Sequence, residues 1–212
     1  DHFVANSSFV KARVEKYYCK QAEVVNPPVE MSTFEKKPST RLIKEDYFLA
    51  AGAFVSYKRL DLAIEACERL GKKLIIAGSG PELPNYRKLA QDNTEFVIKP
   101  NREDWSNLFF HADAFIFPAL EDFGITAIEA LASGTPLIAF KGGGAMDFLR
   151  EGVTGMFFEE QTVDSLVEAL STYDKTNYNY KTLQDFASDF SEQVFLEKIK
   201  KQINIMMEGE SV

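Results

Sequence analysis

Short apolar runs separated by amphipathic segments recur along most of the chain, and this alternation limits the fold more than any other feature. Runs at residues 47–51, 73–77, 95–98, 114–117, 136–140 and 155–158 have the length and composition of buried strands. Between them, residues 60–70, 83–90, 103–111, a segment starting near Ile125, 145–150 and 163–173 read as helices. Leu60, Ile64 and Cys67 show the spacing, falling on one face of the first of these. Strand and helix in regular alternation mean parallel pairing with right-handed crossovers. The predicted fold class is α/β, a Rossmann-like doubly wound parallel sheet.

Ahead of that region, residues 2–5 and 23–25 read as short apolar strands around a helix at 9–18, which Ser7 or Ser8 can cap. Pro27-Pro28 stops the second strand, and the polar residues 31–44 read as a connecting loop. The main domain is expected over residues 1–180, with a helical tail at 181–212. Phe186, Phe190, Phe195, Ile199 and Ile203 are the apolar positions of that tail.

A chain of 212 residues can bury one sizeable core. Its net charge of −8 argues against a nucleic-acid groove, which needs a basic stripe. Cys19 and Cys67 lie far apart without metal-ligand spacing and suit a reducing compartment. No apolar run reaches transmembrane length and no signal peptide is visible, so the expected location is the cytoplasm. The sequence opens with Asp1 inside an apolar segment, which suggests a piece excised from a longer protein.

Residues 114–133 concentrate the chemistry. The apolar run at 114–117 is closed by Pro118, which lacks a backbone donor. A loop with Glu121, Asp122 and Phe123 follows, and then a helix of small residues, Ala127, Ala130 and Ala132, suited to close packing on a sheet. Ligands of open parallel sheets bind beyond the strands' carboxyl ends, where Glu121 falls. Glu129 has no Lys or Arg within four positions. It is either an exposed helix residue or a carboxylate serving a ligand, since a buried unpaired charge is costly.

Three other loops precede helices on the same edge: the one with Lys58 and Arg59, Gly78-Ser79-Gly80, and Gly142-Gly143-Gly144. Glycines let backbone amides approach a ligand, and helix N-termini favour phosphate. Gly78-x-Gly80 lacks the third glycine of a dinucleotide fingerprint and also reads as a tight turn, while Lys58 also reads as a solvated lysine. His111 reads as a helix-end residue.

Together these pieces resemble a known family. Glu-Asp-Phe-Gly-Ile-Thr-Ala-Ile-Glu-Ala at 121–130 is similar to the paired-glutamate motif of retaining, two-domain glycosyltransferases, called group 1 or family four. Asn6-Ser7, Pro27-Pro28-Val29, Tyr57-Lys58-Arg59-Leu60-Asp61-Leu62, Gly78-Ser79-Gly80-Pro81, the segment 133–139 and Gly152-x-x-Gly155 resemble its other motifs in order. The resemblance implies the C-terminal, donor-binding half of a GT-B fold, with the acceptor-binding N-terminal half outside this chain. It implies a metal-independent enzyme that takes a nucleoside-diphosphate sugar and passes the hexosyl group, with retention, to a glycan or lipid-linked acceptor. The full-length enzyme would then associate peripherally with a membrane, and this half alone would bind donor weakly and transfer little.

Carried over residue by residue, the resemblance assigns Glu121 to the transferred sugar and Lys58 to the leaving diphosphate. Glu129 would hold the ribose hydroxyls, amides of Phe123, Gly124 and Ile125 would touch sugar or phosphate, and Gly78 would line the same edge. The base would lie against the backbone of Lys99, Pro100 and Asn101. The family's arginine five positions before the lysine is Ala53 here, which leaves Arg59 as the candidate second phosphate contact. The wording at 57–66 and 157–162 is most similar to mannosyltransferases of bacterial surface polysaccharides, which points to GDP-mannose. Alternatives are a nucleotide-sugar epimerase of the same two-domain fold and a non-catalytic nucleotide-binding partner half. A glycosidase is excluded, since its carboxylates must flank a bond across a cleft.

Overall fold

The computed structural model describes residues 2–209. Two strands and a helix come first: β1 (Phe3–Ala5), α1 (Ser8–Tyr18) and β2 (Ala22–Val24). β3 (Phe48–Ala53), α2 (Leu60–Leu70), β4 (Leu74–Ser79), α3 (Leu83–Leu89) and β5 (Thr94–Ile98) form one half of the main sheet with its crossovers. α4 (Arg102–His111), β6 (Ala114–Phe117), α5 (Ile125–Ala132), β7 (Leu137–Phe140), α6 (Ala145–Phe148), β8 (Gly155–Phe158) and α7 (Val163–Thr172) form the other. α8 (Tyr180–Ala187) and α9 (Glu192–Gly209) close the chain.

Six strands form one all-parallel sheet in the order β5-β4-β3-β6-β7-β8. Side chains alternate across a strand, so each apolar run supplies two cores. Leu49, Ala51, Ile75, Ala77, Phe115 and Phe117 face α4, α5 and α8. Phe48, Ala50, Leu74, Ile76, Ala114 and Ile116 face α2 and α7. This two-sided burial explains why the strands read as continuous hydrophobic runs. Phe115 and Phe109, both essentially inaccessible, pack with ring centroids 5.2 Å apart, and burying one such side chain contributes about 2–3 kcal/mol.

Helix starts follow their caps. Ser7 accepts from the Val10 amide at 3.1 Å and Asn101 from that of Asp104 at 2.8 Å, while Thr162 and Asn179 cap α7 and α8. Strand ends run further than the sequence suggests: β3 reaches Ala53 and β4 reaches Ser79, because Gly52 and Gly78 pair within the ladder. The expected loop at 31–44 contains a short 3₁₀ turn, Met31–Phe34, anchored by buried Phe34.

β1 and β2 pair in parallel, apart from the large sheet. The segment after β2 meets the turn before α9 in the Val29–Ser191 bridge, and Asp147 of α6 accepts from the Ser8 amide at 2.8 Å. The C-terminal helical region is two helices rather than one, separated by a 3₁₀ turn at Ser188–Phe190. α8 buries Leu183 and Ala187 in the same core as α5, whereas α9 leaves Leu196, Ile203 and Met206 exposed. No described helix is long and apolar enough to cross a membrane.

Candidate functional site

The strand order reverses direction between β3 and β6, and a crevice opens at such a switch point beyond the carboxyl ends. Here a cavity of about 520 Å³ is lined by Asn6, Pro27, Tyr57, Lys58 and residues 120–126. Lys58 enters from the turn after β3 and Glu121 from the loop after β6. Their side chains form a short ion pair, Nζ to Oε1, and are only 14% and 13% exposed. Lys58 passes over Gly52, its Cε and Nζ 3.9 Å from where a Cβ would sit, which is ordinary van der Waals contact. Exposed Tyr57 stands at the rim with its ring centroid 5.7 Å from that Nζ.

The Glu121 loop is held from below. Phe123 is buried against Phe148 and Phe190, at 5.6 and 5.8 Å between centroids. Gly124, at φ 111°, turns the chain into α5 where a Cβ would strike the Phe117 ring. α5 has no side-chain cap, and its first backbone bond runs from Ala127 to Gly124 at 3.0 Å. The amides of Gly124, Ile125 and Thr126 precede that bond and belong to residues lining the cavity. The Gly142–Gly144 loop has a different part from the one expected. Gly144 donates to the Glu121 carbonyl at 2.8 Å, and a Cβ on Gly143 or Gly144 would run into the backbone of Glu121 or Phe123. These two glycines support the acidic loop by close backbone approach.

Other expected site residues are distributed along the edge. Gly78 pairs with Gly52, and its carbonyl accepts from the Lys99 amide at 3.0 Å, where Lys99 adopts φ 51°. Lys99 and Pro100 therefore follow β5 on the carboxyl side, but neither they nor Gly78 line the cavity. Arg59 does not join Lys58. Its backbone is left-handed, φ 51°, and its guanidinium turns to Asp61, with Nε and Nη2 at 3.2 and 3.1 Å from the carboxylate. His111 ends α4 with Nε2 3.1 Å from the Pro38 carbonyl.

Glu129 lies outside the cavity, half-buried on α5 toward α4. Its partner is Trp105, whose Nε1 donates to Oε2 at 3.1 Å. Burial pushes its carboxyl up to about 7, and the indole hydrogen bond opposes that rise. Sequence reasoning missed Trp105; it named Asn6, Pro27 and Tyr57 only as parts of motifs, without a place in the cavity wall. Trp105 is the chain's single tryptophan, but nothing in local spacing links it to Glu129.

Fold and cleft define a Rossmann-like, doubly wound α/β domain with charged groups gathered at its switch point. Residues 32–188 match the family model for glycosyl transferases group 1, and the chain belongs to that family. It is 26% identical over 196 residues to the uncharacterised glycosyltransferase YqgM of Bacillus subtilis (strain 168), a match covering 87% of this chain and 54% of that protein. It is 32% identical over 137 residues to the O-antigen chain mannosyltransferase C of Escherichia coli, covering 61% of this chain and 37% of that one. The chain thus spans about half or less of these curated relatives. In fold it is similar to Anabaena Alr3699/HepE, solved in complex with UDP and glucose (TM-score 0.83, 18% identity, 96% of this chain and 62% of that chain). It is equally similar to sucrose-phosphate synthase from Thermosynechococcus elongatus (TM-score 0.83, 19% identity, 97% and 58%). The fold of this chain matches the C-terminal Rossmann-like domain of GT-B glycosyltransferases.

Proposed function

We propose that the cleft binds a nucleoside-diphosphate sugar and that the chain is the donor half of a retaining hexosyltransferase. The observation that carries this reading is the Lys58–Glu121 pair at the mouth of the uncapped α5 N-terminus. In glycosyl transfer the bond between the anomeric carbon and the phosphate oxygen breaks, and the electron pair leaves on the diphosphate. An acceptor oxygen forms the new bond to that carbon, and its proton passes to the departing phosphate oxygen. Lys58 and the α5 amides supply positive charge where negative charge grows, without reorganisation at that moment. The diphosphate takes Lys58 from Glu121, which frees that carboxylate to face the sugar and its developing positive charge. Glu129 holds the ribose, and the backbone at Lys99–Pro100 receives the base.

Departure assisted by these groups needs no metal. The donor proposed first is GDP-mannose, supported by the likeness to a mannosyltransferase of Escherichia coli, and UDP-sugars come second because the similar Anabaena protein was solved with UDP and glucose. The acceptor, a glycan or a lipid-linked sugar, is assigned to a preceding half, and the cytoplasm is the proposed location. Titration calorimetry with GDP, UDP, GDP-mannose and UDP-glucose, with and without a chelator, tests the reading. One nucleoside diphosphate should bind at one site, unaffected by the chelator. Binding of NAD with no nucleoside-diphosphate binding would contradict it.

A further inference from the structure

We propose that Trp105 is a positioning residue for Glu129, its indole N–H fixing one carboxylate oxygen so that the other is held ready for the hydroxyls of a bound nucleoside. The role of Glu129 rests on the proposed function; the pairing itself rests on geometry. Glu129 Oε2 accepts from Trp105 Nε1 at 3.1 Å, and the indole is itself held by Phe109, with ring centroids 5.2 Å apart. The indole N–H can only donate, so it stabilises the carboxylate and leaves Oε1 and spare lone pairs for a ligand. Trp105 also lies in the first turn of α4, whose N-cap Asn101 directly follows Lys99 and Pro100. One side chain therefore joins the segment proposed for the base to the carboxylate proposed for the ribose.

No cation competes for this task among the described residues. Around α5 lie α4, α8, the 3₁₀ turn at Met31–Phe34, β6 and β7. Arg102 of α4 is paired with Glu30, Lys181 of α8 with Asp185, and the Tyr180 hydroxyl accepts from Gln184. Glu103 and Asp104 occupy the first turn of α4, and His111, at its other end, bonds the Pro38 carbonyl. β6 and β7 carry no titratable side chain. Only burial and the indole bond act on the Glu129 carboxyl, in opposite directions. Removing the indole N–H therefore raises the pH at which Glu129 ionises.

Because Trp105 is the one tryptophan, its fluorescence reads the pair without any ligand. Wild-type emission should titrate in a single step near pH 7, and Glu129→Gln should abolish the step while circular dichroism shows the fold intact. Affinity for GDP or UDP, whichever binds, should fall with pH through the same midpoint, by up to tenfold per pH unit below it. Trp105→Phe should move that midpoint upward by about one unit, which weakens binding at pH 7 several-fold and leaves it nearly intact at pH 9. An emission step that survives Glu129→Gln, or a Trp105→Phe midpoint equal to wild type, overturns the proposal. Should Trp105→Phe not fold, the emission titrations of wild type and Glu129→Gln decide. Absence of any GDP or UDP binding would count against the proposed function, while the emission titration still judges the Trp105–Glu129 pair.

Discussion

Lys58 and Glu121 meet across the switch point although 63 positions separate them. The pairing exists because β3 and β6, distant in sequence, are neighbours in the sheet and end at the same edge. The opposite charges of the two side chains offset one another at the cleft, and both are largely withdrawn from solvent.

The two partners should respond differently to substitution. Lys58→Ala leaves a mostly buried carboxylate unpaired, which should lower stability by about 1–3 kcal/mol, and nucleoside-diphosphate affinity should drop more than tenfold. Glu121→Gln releases Lys58 from competition, so GDP or UDP should bind as tightly as to wild type or more tightly, while sugar transfer by the full-length protein is lost. Urea unfolding and calorimetry on both variants check this.

Gly144→Ala tests support of the acidic loop. The conformation at Gly144 is ordinary, so only the clash of a Cβ with the Phe123 backbone matters. Overpacking of this kind costs about 1–3 kcal/mol. Nucleotide affinity should fall with Lys58 and Glu121 untouched. Gly152→Ala is the contrast: a Cβ there meets nothing within 4 Å, at φ 71°. It should cost only the left-handed backbone penalty of about 1–2 kcal/mol and leave affinity unchanged.

Glu129 should make stability depend on pH. In the folded chain its carboxyl keeps a proton up to about pH 7, against an ordinary value of 4.5. Between those values the folded state binds more protons than the unfolded one, so stability falls as pH rises from 4.5 to 7 and then levels. Glu129→Gln removes that loss. Its advantage over wild type should be negligible at pH 4 and on the order of 3 kcal/mol at pH 8. Unfolding midpoints across this range measure it.

The cysteines should differ in reactivity. Cys67 is fully buried, and burial pushes its thiol up to about 12, whereas Cys19 is exposed at the end of α1. Alkylation of the folded chain at pH 8 should modify Cys19 alone by peptide mass spectrometry, and Cys67 only after denaturation.

Much of this arrangement is legible in the sequence because local rules write it. The buried runs at Ala114–Phe117 and Gly155–Phe158 and the helix Leu60–Leu70 match their sequence bounds. What is missed depends on contacts distant in sequence. The isolation of Glu129 was legible, but its answer, Trp105, comes from another helix 24 positions away. Arg59 reads in the sequence as the candidate second phosphate contact, but its own left-handed backbone and the pull of Asp61 turn it away from Lys58. The glycines after β7 signalled close approach correctly, but what approaches is the backbone of Glu121 and Phe123. The break at Ser188–Phe190 has no proline or glycine to announce it.

The most direct test of the central claim is a crystal structure of the chain with the nucleoside diphosphate that it binds. The account predicts the phosphates within about 3 Å of Lys58 Nζ and the Ile125 amide, with the Lys58–Glu121 pair opened. Phosphates bound elsewhere, or a nucleotide seated while that pair stays closed, would contradict it.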